Sequence, residues 1–409
     1  MASVVHDLDA ALEKNEGLAK DIRAAAEDLE AEFRESTRVR GEEEDDTNDG
    51  PANLEPVVLR LPTARVLPVM EPDQKTNLVA HMRDWDYGPG GVFQRNDDLA
   101  GNALYHTTTQ AVHRFDLCEK LSIDSAKLSN WVLAVQRCMR PQSVVPYHNA
   151  MHACDVVHAA YWFLDQAKLS GMLSPSAQLA VLMAACAHDC GHPGLNNTWF
   201  VKTGSDMALC YHDRSVLENF HIHQAFALMK NKDCDVFSGM AATEKQSIKS
   251  LITDAILATD LAYHNEAIVE FKQRSQEDRP FEAASASDQK ILVTMTLKTA
   301  DIANPSKSWP VYKPWIDRLF VEFYNQGDRE RSQGHQAAPF MDRSDMSQSP
   351  PKAQQGFINY LMKPLFVEWS RLLPSCNPCM ANVDANLAEL KAWEGGVLAE
   401  RGSAAGTTL

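Results

Sequence analysis

From about residue 70 onward, apolar positions recur at the spacing of one helix face. Such segments cover residues 129–139, 176–187, 213–230, 243–258 and 311–325, with Pro and Gly between them, and few runs alternate with period two. The pattern predicts a mostly helical body. One stretch, Leu179 to Ala187, is apolar all round, as a fully buried helix is. Residues 332–351 break the periodicity with Ser, Gln, Gly and Pro and are expected to form a mobile loop of the kind that often serves as a lid. Near the amino terminus, Leu8, Ala11, Asn15, Leu18, Ile22, Ala25 and Leu29 alternate spacings of three and four. That is the seam of a short coiled coil, or the apolar face of a helix docking on its own chain. The expected organisation is an amphipathic helix over 1–40, an acidic linker over 41–70, a helical body over 71–400 and a flexible tail over 401–409.

Charge sharpens this division. Residues 1–50 hold sixteen Asp and Glu against six Lys and Arg, so most of the net charge of −16 lies ahead of the body. Nucleic-acid and anionic-membrane binders neutralise phosphates with Lys and Arg, so neither is expected as a partner. The longest apolar run falls far short of the roughly 20 residues of a membrane span. Nine cysteines, most of them inside apolar runs, read as reduced thiols in a cytoplasmic protein. The one CxxC, Cys376 to Cys379, contains a proline and has no second pair, which favours a loop over a zinc knuckle.

The candidate chemistry lies in the helices. In YHNAMHACDVVHAAYW, Tyr147 to Trp162, a helix of about 100° per residue brings His148, His152 and Asp155 within about 60° and turns His158 away. Leu179 to Ala187 runs into His188-Asp-Cys-Gly-His192-Pro-Gly, and Leu297-Lys-Thr-Ala runs into Asp301. Carboxylates at the ends of buried helices are costly unless they bind something, and a metal is the simplest occupant. His152, His188, Asp189 and Asp301 form a two-nitrogen, two-oxygen set suited to Zn²⁺. If Asp189 also reaches a second ion, that ion keeps several waters, as Mg²⁺ or Mn²⁺ tolerates. Two such ions would share a water, lower its pKa and aim it at phosphorus. His148, one turn from a ligand, is then free to protonate a leaving oxygen, with Glu218 as the candidate carboxylate that holds it charged.

Six ordered blocks carry a resemblance: Tyr147-His-Asn-x-x-His152-Ala-x-Asp155-Val, His188-Asp-x-x-His192-Pro-Gly, Ser215-Val-Leu-Glu-Asn219, Ala258-Thr-Asp-x-x-x-His264, Ala300-Asp-Ile-Ala-Asn-Pro305 and Gln326-Gly-Asp-Arg-Glu330. Together, across roughly residues 75–395, they resemble the class I 3′,5′-cyclic-nucleotide phosphodiesterases. The resemblance implies an all-α, multi-helix catalytic domain of the HD superfamily that hydrolyses cAMP or cGMP to the 5′-monophosphate. It also implies two divalent ions, with His148 as proton donor to O3′ and His152, His188, Asp189 and Asp301 as the tight-site ligands. Asp155 matches no ligand position and reads as a carboxylate that orients the site from behind. In Lys352-Ala-Gln354-Gln-Gly-Phe357, Gln354 matches the purine-binding amide and Phe357 the stacking aromatic. Leu319 is expected on the opposite wall, Asn304 at the adenine edge, and Tyr147, His192 and His221 near the nucleotide, with Asp260 and His264 in supporting positions. Gly191 departs from the family, many of whose members carry an acid there. Asn304 tilts the expectation towards cAMP, with cGMP possible, and the amino-terminal heptads allow a homodimer. Two alternatives are another HD-type nucleotide phosphohydrolase, which would lack the Gln354/Phe357 block, and an inactive scaffold, which would not need four intact ligands and His148.

Overall fold

The computed structural model describes residue 70 and residues 72–405, so the heptads of residues 1–40 and the acidic linker up to residue 69 lie outside the described residues. Every described element is helical. The last helix, Asn377–Ala405, runs on into the stretch expected as a tail.

Two helices buried on all sides form the centre. Ala150–Asp165 has every residue from Met151 onward buried, and Pro175–Ala187 has every residue from Ala177 onward buried. Neither has a solvent face, so each must be covered by others. Ala103–Arg114, Ala242–Leu257 and Ala286–Asp301 pack around this pair. Local sequence fixes where the central helices start. Asn149 caps the first by accepting from the Met151 N–H at 2.9 Å, and its own amide donates to the carbonyls of Val145 and Pro146. Ser174 caps the second, with Pro175 in its first turn.

The pair form a helical hairpin, and this places the chemistry. His152 lies near the start of one helix and His188 just past the end of the other, so the short connection brings both to the same end of the bundle. Asp301 closes the Ala286–Asp301 helix, which packs on both.

With Asn149 as the cap, His148 precedes the helix instead of standing one turn before His152 on its face. Its position is therefore set by tertiary contacts.

Residues 332–351 also differ from the expected free loop. They contain two 3₁₀ turns, Pro339–Met341 and Met346–Gln348, and Met341 is buried. The segment lies so close to the long Trp309–Ser332 helix that a Cβ on Gly327 would overlap the Met341 carbonyl oxygen. Gly327→Ala must push that turn outward, at about 1–3 kcal/mol by analogy with overpacked cores. The expected result is a lower melting temperature and weaker binding of any ligand in the cavity of about 660 Å³ whose wall includes Phe340 and Met341. Thermal unfolding and ligand titration check both.

Candidate active site

A cavity of about 660 Å³ opens at this end of the bundle. At its floor, His152 Nε2 lies 3.1 Å from Asp301 Oδ1 and 3.5 Å from Asp189 Oδ2. His188 Nε2 lies 3.2 Å from each of the same two oxygens and 3.3 Å from His152 Nε2. Ligands bonded at ~2.0–2.2 Å to one divalent ion stand about 3.0–3.5 Å apart, so the four side chains fit a single cation. Two further features agree with this fit. Asp189 Oδ2 is buried with no hydrogen-bond partner, and His188 Nδ1–H donates to the Ala185 carbonyl at 3.0 Å, which leaves the Nε2 lone pair facing the cluster. Burial opposes charge on Asp189 and Asp301, yet the facing imidazoles hold both well below the usual carboxylate range. Burial likewise opposes a proton on His188, and the two carboxylates overcome it and raise its pKa well above the ordinary value. The cluster favours positive charge at its centre.

A second group adjoins it. Ligating atoms of Asp189, His192 and His221 lie within 4.8 Å of one another. His221 Nδ1–H donates to the Cys190 carbonyl at 2.9 Å, and burial lowers its pKa to about 4, so it presents a neutral Nε2, 3.8 Å from Asp189 Oδ1. His192 accepts from the Gly194 N–H through Nδ1, so its proton is on Nε2, and burial followed by the charge of His148 keeps it neutral. Between these residues the chain turns at Gly191 (φ +78°), where a Cβ would press on the Phe220 ring. This chain's glycine suits a left-handed position that an acid would occupy only with strain.

His148 stands above the floor, and its partner is Glu322 instead of Glu218. Nδ1 lies 2.5 Å from Glu322 Oε1, and the other oxygen accepts from the backbone N–H groups of Tyr147 and His148 at 2.8 and 3.2 Å. Burial alone would depress the His148 pKa. The charge and hydrogen bond of Glu322, with Asp189 and Asp301 behind, outweigh it and raise the pKa to about 9. His192 stacks on the ring at 4.2 Å and 22°. Glu218 lines the same cavity, but its carboxylate accepts from Asn197 at 2.9 Å, and burial, then Asp260, pushes its pKa up to about 7. Glu322 carried a readable signal. It is an acid on the apolar face of a helix, beside Leu319 and Phe323, where only a partner makes burial tolerable.

The upper cavity holds the other expected residues. Gln354, Phe357, Leu319, Asn304 and Tyr147 all line it. Gln354 Oε1 accepts from the Tyr312 hydroxyl at 2.7 Å. Asn304 is held at both ends of its amide, accepting from Tyr147 at 3.2 Å and donating to Asp155 at 3.2 Å. Asp155 in turn lies 3.7 Å from the fully buried Lys307. His158 faces away from the cavity, stacked on Tyr87 and donating to the Asp84 carbonyl. Asp260 lines the cavity, caps its own turn and accepts from Ser215, while His264 pairs with the Leu361 carbonyl.

Comparison with known proteins agrees with this arrangement. A family model described as 3′5′-cyclic nucleotide phosphodiesterase matches residues 147–383, from Tyr147 at the cavity through most of the helical body. The chain belongs to that family. It is 31% identical over 320 residues to the 3′,5′-cyclic-AMP phosphodiesterase 4C of Rattus norvegicus, an alignment covering 76% of this chain and 59% of the relative. It is 34% identical over 247 residues to isoform F of the 3′,5′-cyclic-AMP phosphodiesterase of Drosophila melanogaster, covering 59% of this chain and 37% of the relative. The chain thus spans less than two thirds of the length of either relative. The structure of LmjPDEB1 in complex with IBMX shares the fold, with a TM-score of 0.71 at 24% identity over 80% of this chain and 99% of that one. Membership of this phosphodiesterase family, together with the His and Asp clusters, supports use of divalent metal. Among the described residues no helix is long and apolar enough to cross a membrane.

Proposed function

We propose that this chain hydrolyses 3′,5′-cyclic nucleotides to nucleoside 5′-monophosphates, with cAMP favoured and cGMP also accepted. The observation that carries the reading is the pairing of the four-residue cluster, spaced for one cation, with a separate His–Glu couple that opens on the same cavity. His152, His188, Asp189 and Asp301 would hold the tight ion, with Zn²⁺ suited to their nitrogen and oxygen donors. Asp189 would reach a second ion, Mg²⁺ or Mn²⁺, whose waters His192 and His221 are placed to hold. When bound, these ions supply Lewis acidity and an activated water.

The protein's own groups do the remainder. Glu322 holds the His148 imidazole by Nδ1, which leaves the Nε2 proton facing the cavity for the O3′ leaving oxygen. His192, neutral and stacked beneath, fixes the plane of that ring. Gln354 offers its amide to the base edge, and Phe357 and Leu319 offer apolar faces to the purine. With Oε1 already accepting from Tyr312, the Gln354 amide nitrogen is left to donate to an acceptor on the purine ring. Asn304 Oδ1 accepts from Tyr147 and keeps a second lone pair for the exocyclic amine of adenine, which favours cAMP. The heptads of residues 1–40 would supply a dimer contact, and the cysteines, read as reduced thiols, suit the cytoplasm.

The direct test is to supply each nucleotide to the metal-loaded protein and separate the products. We expect 5′-AMP and 5′-GMP, with the larger kcat/KM for cAMP. If neither cyclic nucleotide is consumed while another nucleotide phosphate is, the chain is a different HD-type phosphohydrolase.

A pH prediction follows from the His148 couple. The acid form is the active one, so the rate falls as pH rises through its pKa. Bound cations cancel the pull of Asp189 and Asp301 and leave Glu322 to hold the proton, which puts that falling limb at or below about pH 9. Glu322→Gln removes the remaining support and moves the limb towards the ordinary imidazole value of about 6.5. A kcat–pH profile of both proteins checks the shift.

A further inference from the structure

Outside the catalytic cavity, the described residues form a second concavity of about 390 Å³ where the end of the Val216–Leu228 helix meets the start of Ala242–Leu257. Three lysines converge on it: Lys230, just past the first helix, and Lys245 and Lys249, one turn apart on the second. His223 adds a fourth basic group at the rim.

This concentration of positive charge is unusual for the chain. The protein carries a net charge of −16, and some of its other lysines pair with acids, as Lys290 does with Asp254, Lys313 with Asp317 and Lys363 with Asp384. Among the described residues, none of the three pocket lysines lies in an ion pair. The acid next to Lys245, Glu244, accepts from Ser176 at 2.9 Å instead. The one acid lining the pocket, Asp235, accepts from the Phe237 backbone N–H at 3.2 Å. Lysines of like charge lining one hollow make it attractive to an anion. The hollow also has an apolar side, since Phe237 is buried in its wall and the Lys249 ammonium stands 4.9 Å above the Phe226 ring. Its volume lies within the range of small-molecule sites, ~300–1,000 Å³.

We propose that this pocket binds a small organic phosphate, with its dianionic group among Lys230, Lys245 and Lys249 and its apolar portion against Phe226 and Phe237. The site is separate from the catalytic cavity and does not depend on the reaction assigned there. A free inorganic anion satisfies the lysines but leaves the aromatic wall unused, so an aromatic phosphate should bind more tightly than inorganic phosphate.

The probes are inorganic phosphate and phenyl phosphate, titrated into the metal-loaded protein and followed by hydrogen exchange. Segments 223–230 and 235–249 report on the pocket, and segment 188–192 reports on the catalytic floor. We expect phenyl phosphate to protect the two pocket segments at lower concentration than phosphate does. The Lys245→Gln/Lys249→Gln double variant should weaken this by about 100-fold, a factor of about ten for each charge-assisted hydrogen bond removed. Its melting temperature and its activity at the catalytic cavity should be unchanged, which separates loss of the site from loss of the fold. Protection confined to 188–192, equal affinity for the two probes, or undiminished protection in the double variant would overturn the proposal.

Discussion

His148→Ala lowers kcat by about 10²–10⁴-fold while the protein keeps its metal, the range expected for loss of a positioned general acid. The two proposed roles rest on separate residues. His148 has its own carboxylate, Glu322, on the Trp309–Ser332 helix, whereas the four cluster residues come from the hairpin ends and from Asp301. Removing the imidazole therefore leaves the ligand geometry standing. The loss should fall on kcat more than on KM, because the proton is needed only as the O3′ bond breaks. Elemental analysis beside steady-state kinetics reads both halves. A variant that loses metal along with activity would show that His148 is a ligand and not the acid.

Asp301→Ala has the opposite signature and the larger total effect. Its Oδ1 lies within 3.2 Å of both cluster imidazoles, so its loss removes the only oxygen reaching them from the Ala286–Asp301 helix. The remaining three donors no longer enclose a cation, and we expect tight-site metal and measurable turnover to disappear together. Stability should fall too, because a tightly bound ion stabilises the folded state by mass action, about 4 kcal/mol at a thousandfold excess over Kd. The variant should melt at the temperature of the chelated wild type, and metal that raises the wild-type melting point should leave the variant unmoved.

The helical body was legible because its apolar positions repeat at helix spacing. The 179–187 run lies inside the Pro175–Ala187 helix, and the 243–258 and 311–325 segments fall on Ala242–Leu257 and Trp309–Ser332. The cluster residues could be named because His188, Asp189 and Asp301 are polar groups at the ends of apolar helices, but their meeting depends on the packing of the Ala286–Asp301 helix against the hairpin. What periodicity misses is the single residue that ends a helix. Asn149 caps Ala150–Asp165, so angular arithmetic carried one residue too far placed His148 on a face it does not share. The choice between Glu218 and Glu322 was beyond reach for a different reason. Both are acids near apolar residues, and only the tertiary approach of the Tyr147–His148 backbone to the Trp309–Ser332 helix selects one. The Asp155–Asn304–Tyr147 chain of hydrogen bonds joins residues about 150 positions apart and has no local signature.

The central claim is that these side chains carry divalent ions that are needed for hydrolysis of a cyclic phosphodiester. Its most direct test is to measure 5′-AMP formation from cAMP before chelation, after chelation, and after return of Zn²⁺ with Mg²⁺ or Mn²⁺. Turnover should vanish with the metal and recover with it in the wild type but not in Asp301→Ala. Turnover that persists in the metal-free protein, or a fully metal-loaded protein that leaves cAMP intact, would contradict it.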